Sequence, residues 1–486
     1  MKNILVRLFA ASMGLALAGS TALGQTTSDP AAPNPATTAI SKELRIIRIT
    51  PQGEDVPLGR QIVIQFNRPV VPIGKMERSR QEIPVTTTPE LNCEWRWLNT
   101  SALSCNLTEK DQLQSATSYS LTINPGIIAE DGATISAVQA HKFITERPDV
   151  RFADFNTWKS PSHPVLRLVL NQPVTKDSVV QHVYFAVGKD AQQRLSLSAA
   201  ADPDNEEKPV LVNGVEARQV WLIEPQQELP TESTISLKSE PGLVSALGPE
   251  PGRNTQDIVQ FDTYPKFEFL GIKCTTNDRQ PVFVTLNKPQ QAEELCDPLA
   301  SVSLAFSAPI FRSQVKEQFV FSPDLAGGKD FDPWGDGADH TRLSRPYTKG
   351  DTFDVYLPGG LKAAQTYALA IKAQDLSFFG RIWHWILSLF SEQPLTDLED
   401  EFGRKLFKPF NLSFATDHRR PNFEIIHHDA VIEKSVDSEV PLYVNNLDKV
   451  IFDYRSITAD GIKQSQTVSQ DIPKVPDVQF AIPFGV

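Results

Sequence analysis

Hydrophobic and polar residues alternate in short runs along most of the chain, with turn-forming residues between the runs. Ile62, Ile64 and Phe66 occupy every second position, as do Leu166, Leu168 and Leu170, and again Val302, Leu304 and Phe306. A period of two places each set on one face of a β-strand, where it can line a core. A proline follows each run, at Pro69, Pro173 and Pro309. Because proline cannot donate to a ladder, pairing is expected to stop at each strand exit.

These runs open an internal repeat. In the first copy Leu103, Cys105 and Leu107 are followed by Leu113, Tyr119, Leu121 and Ile123. The second copy offers Val220, Leu222, Leu229, Ile235 and Leu237, and the third offers Phe353, Val355, Leu357, Leu361, Tyr367, Leu369 and Ile371. Each copy closes on a phenylalanine and a threonine two positions on: Phe143 and Thr145, Phe261 and Thr263, Phe414 and Thr416. A polar, proline-bearing junction follows each time. Short strands at regular spacing predict antiparallel β-sandwiches in tandem, over residues 42–147, 148–264 and 265–420, with a further β domain beginning at 421–486. The 37 prolines agree with a turn-rich chain that is poor in long helices.

One stretch breaks the two-residue period. In residues 376–390, "LSFFGRIWHWILSLF", Phe379, Ile382, Trp383, Ile386, Leu387 and Phe390 share a helical stripe, while Trp385 and Leu389 fall off it. A helical insertion is therefore expected within residues 376–400. It is too short to span a bilayer. Packing on its own or a neighbouring module is the plainer reading; contact with a partner or a membrane surface is the functional one.

The first 24 residues carry Lys2 and Arg7 ahead of an apolar run and end in Ala22, Leu23 and Gly24, the pattern of a secretory signal peptide. Leu17, Ala18 and Gly19 resemble a lipobox, but Ser20 stands where a lipidated cysteine is needed. The mature chain is expected to start near Gln25, soluble, with residues 25–41 a disordered Pro/Thr/Ala linker. The expected location is the periplasm of a Gram-negative bacterium. Four cysteines in an oxidising compartment point to disulfides. If Cys93 begins one arm of a hairpin centred near Asn99, Cys105 lies across from it and Trp95 faces Leu103. That bridge closes a short loop and stabilises by about 2–3 kcal/mol in the chain-entropy model. Cys274 and Cys296 are expected to form a second bridge.

Charge and motifs remove other classes. A net charge of −12 without a basic patch argues against nucleic acid. No nucleophile elbow, zinc-protease pair, P-loop or dinucleotide fingerprint occurs, so no enzyme activity and no cofactor are expected. The cluster of Asp330, Asp332, Asp336 and Asp339 invites a calcium reading, but Trp334 takes the third ligand position and Leu343 the place of the bidentate glutamate. The expected alternative is a solvated loop anchored by Trp334. His427 and His428 lack a nearby third donor and read as an exposed pair rather than metal ligands.

Several ordered motifs carry a family resemblance. They are Phe331, Asp332, Pro333 and Trp334; Val355 through Leu361 to Ala363; Asp400, Gly403 and Arg404; and Phe414 through Pro421 to Phe423. With Ala430 to Lys434 and Glu439 to Asp448, this order resembles the N-terminal region of bacterial α2-macroglobulin-family proteins, and the hairpin of Trp95 and Trp97 resembles their Ig-like modules. The resemblance implies an all-β fold of tandem Ig-like antiparallel β-sandwich modules with one short helical insertion. It also implies a part in a periplasmic protease trap whose partners are proteases. None of Cys93, Cys105, Cys274 and Cys296 lies in a Cys-x-Glu-Gln thioester motif. The chain is thus expected to be a non-catalytic scaffold without bait region or thioester, a fragment or truncated relative. The alternative is an exported Ig-like adhesion or envelope-binding protein, with other envelope proteins or the membrane surface as partners.

Overall fold

The computed structural model describes residues 43–72, 76–188, 193–325, 332–335, 339–372, 396–426 and 439–485. Their architecture is all-β, and the repeat emerges as three Ig-like sandwiches. In the first, Ile46–Thr50, Gln61–Phe66, Ala102–Asn106 and Glu94–Asn99 lie side by side in that order. The facing sheet runs Gly53–Val56, Gln139–Thr145, Ser118–Ile123, Val85–Thr88. Gly53–Val56 pairs in parallel with Gln139–Thr145, and every other pairing in this module is antiparallel. This is the strand order of a constant-type immunoglobulin sandwich with one added edge strand. Ile62, Ile64, Phe66, Trp95, Trp97, Leu103 and Phe143 fill the space between the sheets.

The second module places Val150–Ser160, His163–Thr175, Val215–Pro225 and Leu197–Ala201 over Gln193–Leu195, Val183–Val187, Thr234–Ser239 and Gln256–Asp262. The third places Pro281–Val284, Phe269–Thr275, Ser303–Phe306 and Phe353–Tyr356 over Phe319–Ser322, Thr366–Ile371 and Asn411–Ala415. The three alternating runs therefore occupy matching inner positions, each between two neighbours of its sheet. Pairing does not stop at Pro173 as expected. His163–Thr175 continues past it and pairs Val174 with Arg218 after a register shift, so the proline sits in an irregular stretch that asks nothing of its missing N–H.

Two short helices, Lys176–His182 and Arg312–Gln318, follow the opening strands of the second and third modules, and hydrophobic patterning gave no sign of them. Their caps explain them. Thr175 accepts the Ser178 amide at 3.4 Å, and Asp339 accepts the Arg312 and Ser313 amides at 2.9 and 3.1 Å.

The repeated threonine has one structural role in all three modules. The hydroxyls of Thr145, Thr263 and Thr416 donate to the carbonyls of Gln114, Pro230 and Lys362, each at 2.6 Å. The same oxygens accept the amides of Thr117, Ser233 and Gln365 at 2.9, 3.0 and 3.1 Å. This clasp ties the closing strand to the corner before the preceding strand. The residue just before each accepted amide takes a left-handed conformation: Ala116 at φ 49°, Glu232 at φ 52° and Ala364 at φ 48°. In modules one and three a tyrosine completes the corner, Tyr119 accepting the Gln114 amide and Tyr367 the Lys362 amide, both at 2.9 Å. Module two has Ile235 at this place.

The first disulfide joins Cys93 and Cys105 with Cα atoms 4.8 Å apart, but the expected register is corrected by two residues. Trp95 lies opposite Cys105 and Trp97 opposite Leu103, with an irregularity before Asn99. The Asn99 side chain accepts the Ser101 amide at 2.8 Å and moves the turn beyond Asn99. Cys93, one residue ahead of Glu94–Asn99, closes the bridge from outside the ladder. Both tryptophans are buried.

After the third module, Asn422–Glu424, Glu439–Asn445 and Phe480–Gly485 form a small antiparallel sheet, and Lys449–Thr458 and Gly461–Asp471 form a two-stranded ribbon. Leu442, Val444, Ile472 and Ile482 make their core.

Candidate functional site

Among the described residues, a groove on the third module is formed by the segments that lead into two of its strands, Phe269–Thr275 and Asn411–Ala415. Thr396 is fully buried and donates to the Leu406 carbonyl at 2.6 Å, while the Leu406 amide donates to Leu398 at 2.9 Å. Between these anchors the buried Asp400 carboxylate accepts the amides of Phe402 and Arg404 at 3.0 and 2.8 Å and the Arg404 Nε at 2.7 Å. Burial pushes the Asp400 carboxyl above its ordinary value despite the opposing pull of Arg404. Arg404 also donates to the Pro265 carbonyl at 2.6 Å, which fixes the segment against the start of the module.

A groove of about 1260 Å³ runs between residues 266–270 and 403–410, with Thr285, Leu286 and Asn287 at its end. Phe410 stacks on Phe269 with parallel rings 4.2 Å apart and, with Phe267 and Leu406, gives the groove an apolar wall. Lys266, Arg404, Lys405 and Lys408 stand on its rim, and Lys405 is paired with Asp397 at 3.1 Å. Aromatic rings, aliphatic stems and extended backbone suit the wall to holding a polypeptide.

The groove leads into Asn411–Ala415, the edge strand of the second sheet. Here module three differs from module one. In module one Gly53–Val56 covers the corresponding edge in parallel, with Gly53 opposite Phe143 and Val56 opposite Thr145. The Glu146 amide donates to Val56 at 3.0 Å, as the Asp417 amide donates to Cys296 at 2.8 Å, so Cys296 takes the place of Val56. Among the described residues module three keeps one bridge on this edge, Cys296 to Thr416. The Gln290 side chain serves Ala415 next to it, accepting its amide and donating to its carbonyl at 3.0 Å. The Ala415 groups thus point away from the neighbouring strand, and by alternation so do those of Ser413 and Asn411. Among the described residues the outward backbone groups of Ser413 and Asn411 have no hydrogen-bond partner.

The cysteines expected to pair do so. Cys274 and Cys296 form the second disulfide, Cα atoms 5.7 Å apart, linking the first sheet of module three to the segment bridged to Thr416. The stripe of Phe379, Ile382, Trp383, Ile386, Leu387 and Phe390 lies outside the described residues, as do the signal peptide, the linker, His427, His428, Asp330 and Asp336. The two described aspartates of the acidic cluster are committed to protein groups. Asp332 pairs with Lys316, which holds its carboxyl below the ordinary value, and Asp339 caps Arg312–Gln318. Trp334 is buried under the Arg312 guanidinium at 5.3 Å. Among the described residues no group of three His, Cys, Asp or Glu side chains could hold a metal ion. No helix among them is long and apolar enough to cross a membrane. The sequence marks a closing strand at Phe414 and Thr416 but does not show that its outer edge is left without a strand among the described residues; the long gap between Cys274 and Cys296 is the trace of it.

No family model and no curated protein matches the chain. Among solved structures, L,D-transpeptidase 3 from Mycobacterium tuberculosis aligns at 14% identity over 32% of this chain and 61% of its own, with a TM-score of 0.16. Salmonella alpha-2-macroglobulin reacted with methylamine aligns at 12% identity over 92% of this chain and 41% of its own, with a TM-score of 0.18. E. coli alpha-2-macroglobulin in its native conformation aligns at 11% identity over 91% and 40%, with a TM-score of 0.17. The chain therefore spans about two fifths of these macroglobulin chains, and likenesses at such scores fix neither fold nor activity.

Proposed function

We propose that the chain is a non-catalytic scaffold, the N-terminal frame of an exported α2-macroglobulin-like protease trap. The observation that carries this reading is the continuity of the frame: three sandwiches share one clasp, and buried contacts join each to the next. Arg147 sits at the first junction and Tyr264 at the second, both buried. The resemblance of the ordered motifs from Phe331 to Asp448 to α2-macroglobulin-family sequences supports this reading, and two disulfides fit an oxidising compartment such as the periplasm. In this reading the modules hold other parts of a trap in place and contribute no reacting group.

The full-length gene product tests this. Incubated with a broad-specificity protease, a trap compacts on a native gel and leaves the protease able to cut a small peptide ester but not a large protein. A product that shows neither compaction nor this selective shielding overturns the reading. The uncovered strand on module three favours a second reading, an exported binding protein. That reading is expected to leave protease activity on large substrates unchanged while the chain binds cell-envelope fractions.

A further inference from the structure

We propose that the third module binds an extended segment of another polypeptide by strand addition along Asn411–Ala415, in the slot that Gly53–Val56 fills in module one. Three observations converge on this slot. The outward amides and carbonyls of Asn411 and Ser413 form the free rungs of a ladder, and a strand edge with free rungs is a template for pairing. The rung beyond them is already occupied by the Gln290 side chain and the next by Cys296, so an added strand has a defined stop at Ala415. The groove beside the strand start supplies room, with the Phe269 and Phe410 stack and Leu406 on its wall.

Module one defines what the occupant looks like. Its strand runs parallel to Gln139–Thr145 and buries Val56 while Glu54 and Asp55 stay exposed. The occupant of module three is therefore an extended segment, parallel to Asn411–Ala415, with apolar side chains on the face turned to the groove and polar ones outward. It contains no proline where its N–H must donate. Main-chain bonds give affinity, and the groove selects the alternating side chains.

The test uses the whole chain and a fluorescein-labelled Thr-Val-Thr-Val-Thr-Val peptide with blocked ends. Saturable binding is expected, with hydrogen exchange at the Asn411 and Ser413 amides slowed at least tenfold and the Leu412 amide, which already faces the neighbouring strand, unchanged. A peptide with proline at its third position is expected to bind at least tenfold more weakly. Ser413→Pro removes one outward donor and is expected to weaken binding as much; if that variant does not fold, the proline peptide on the unaltered chain decides. Slow exchange at Asn411 and Ser413 in the chain alone overturns the proposal, because the edge is then already covered. So does protection that rises with chain concentration without peptide, which makes the occupant a second copy. Protection without the alternating pattern overturns it as well.

Discussion

The two junctions between the sandwiches are built from opposite materials. Between modules one and two the contact is polar and close. The Arg147 guanidinium reaches Glu54 and Asp55 at 3.0 Å and Glu250 at 3.8 Å, and Glu250 donates its amide to the Ala116 carbonyl at 2.8 Å. Gly248 lies so near that an added Cβ would sit 2.2 Å from the Ser115 oxygen. Between modules two and three the contact is aromatic. Tyr264 stacks on Tyr347 at 4.5 Å and meets Trp158 and Phe402 edge-on at 5.0 and 5.1 Å, while the Trp158 indole donates to the Arg345 carbonyl at 3.0 Å. The buried residues of modules two and three accordingly form one continuous hydrophobic cluster, and module one keeps its own. Apolar burial couples what it touches, whereas half-exposed carboxylates around an arginine are screened by salt and contribute less. Modules two and three are thus expected to unfold as one cooperative unit, with module one melting separately.

The largest test of this contrast is Tyr264→Ala. Emptying the centre of the aromatic junction should cost about 3–5 kcal/mol, and calorimetry should show modules two and three losing stability together while module one is unmoved. If the variant splits one transition into two without lowering both, the shared core is not a single unit. Tyr264→Phe sharpens the same point. The hydroxyl is buried without a hydrogen-bond partner, and burial pushes its pKa far up, so removing it should be neutral or slightly stabilising.

Next in size, Cys93→Ser with Cys105→Ser should cost about 2–3 kcal/mol. The loss should fall on the first module alone, read as an earlier first transition. Gly248→Ala probes the polar junction directly. The two atoms nearest the added Cβ are backbone oxygens, of Ser115 and Ala116, which cannot swing aside as a side chain can, so the junction must open, at a cost of about 1–3 kcal/mol. Scattering should show a longer particle with both neighbouring melting transitions in place; an unchanged particle would mean that the junction is not held by this contact. Tyr119→Phe and Tyr367→Phe should each cost about 1 kcal/mol by orphaning a corner amide.

Local pattern made some of these features legible and geometry hid the others. The alternation of Ile62, Ile64 and Phe66 and its two echoes located the inner strands, because period two is written in adjacent residues. The threonine after each closing phenylalanine was visible as a repeat, but its clasp was not, since the acceptor lies in a corner shaped by a left-handed residue such as Ala116. The hairpin register slipped by two because the Asn99 turn and the irregularity before it depend on a side-chain hydrogen bond. The Trp158 contact joins residues 187 apart in sequence, and no local period records such a partner. The open edge at Asn411 and Ser413 was hidden for a related reason: it depends on the path the chain takes between Cys274 and Cys296, which their spacing leaves free.

The smallest expected effect tests the third junction, which resembles the first in being polar. His418 Nδ1 lies 2.7 Å from Asp477, and Asp477 also accepts the Arg419 amide at 2.7 Å and the Asn446 side chain at 2.9 Å. The hydrogen bond and charge of Asp477 raise the His418 pKa above its ordinary 6.5. Burial works against Asp477, but the bonds from Asn446, His418 and the Arg419 amide hold its carboxyl below the ordinary 3.8. A raised histidine stabilises fully below about pH 6.5 and loses that contribution as pH rises through its folded value. A lowered carboxyl stabilises above about pH 4 and loses its contribution as pH falls further. The junction should therefore be tightest between about pH 4 and 6.5 and loosen on the alkaline side. His418 is mostly exposed, so the change should be slight and screened by salt. Hydrogen exchange at the Asp477 amide, which donates to Asn446 at 2.7 Å, should quicken between pH 6 and 8 beyond its intrinsic rise, and His418→Gln should abolish the excess. A His418 resonance titrating at or below 6.5 would show that the ion pair does not form, leaving the third junction to the bonds that Asp477 accepts from Asn446 and the Arg419 amide.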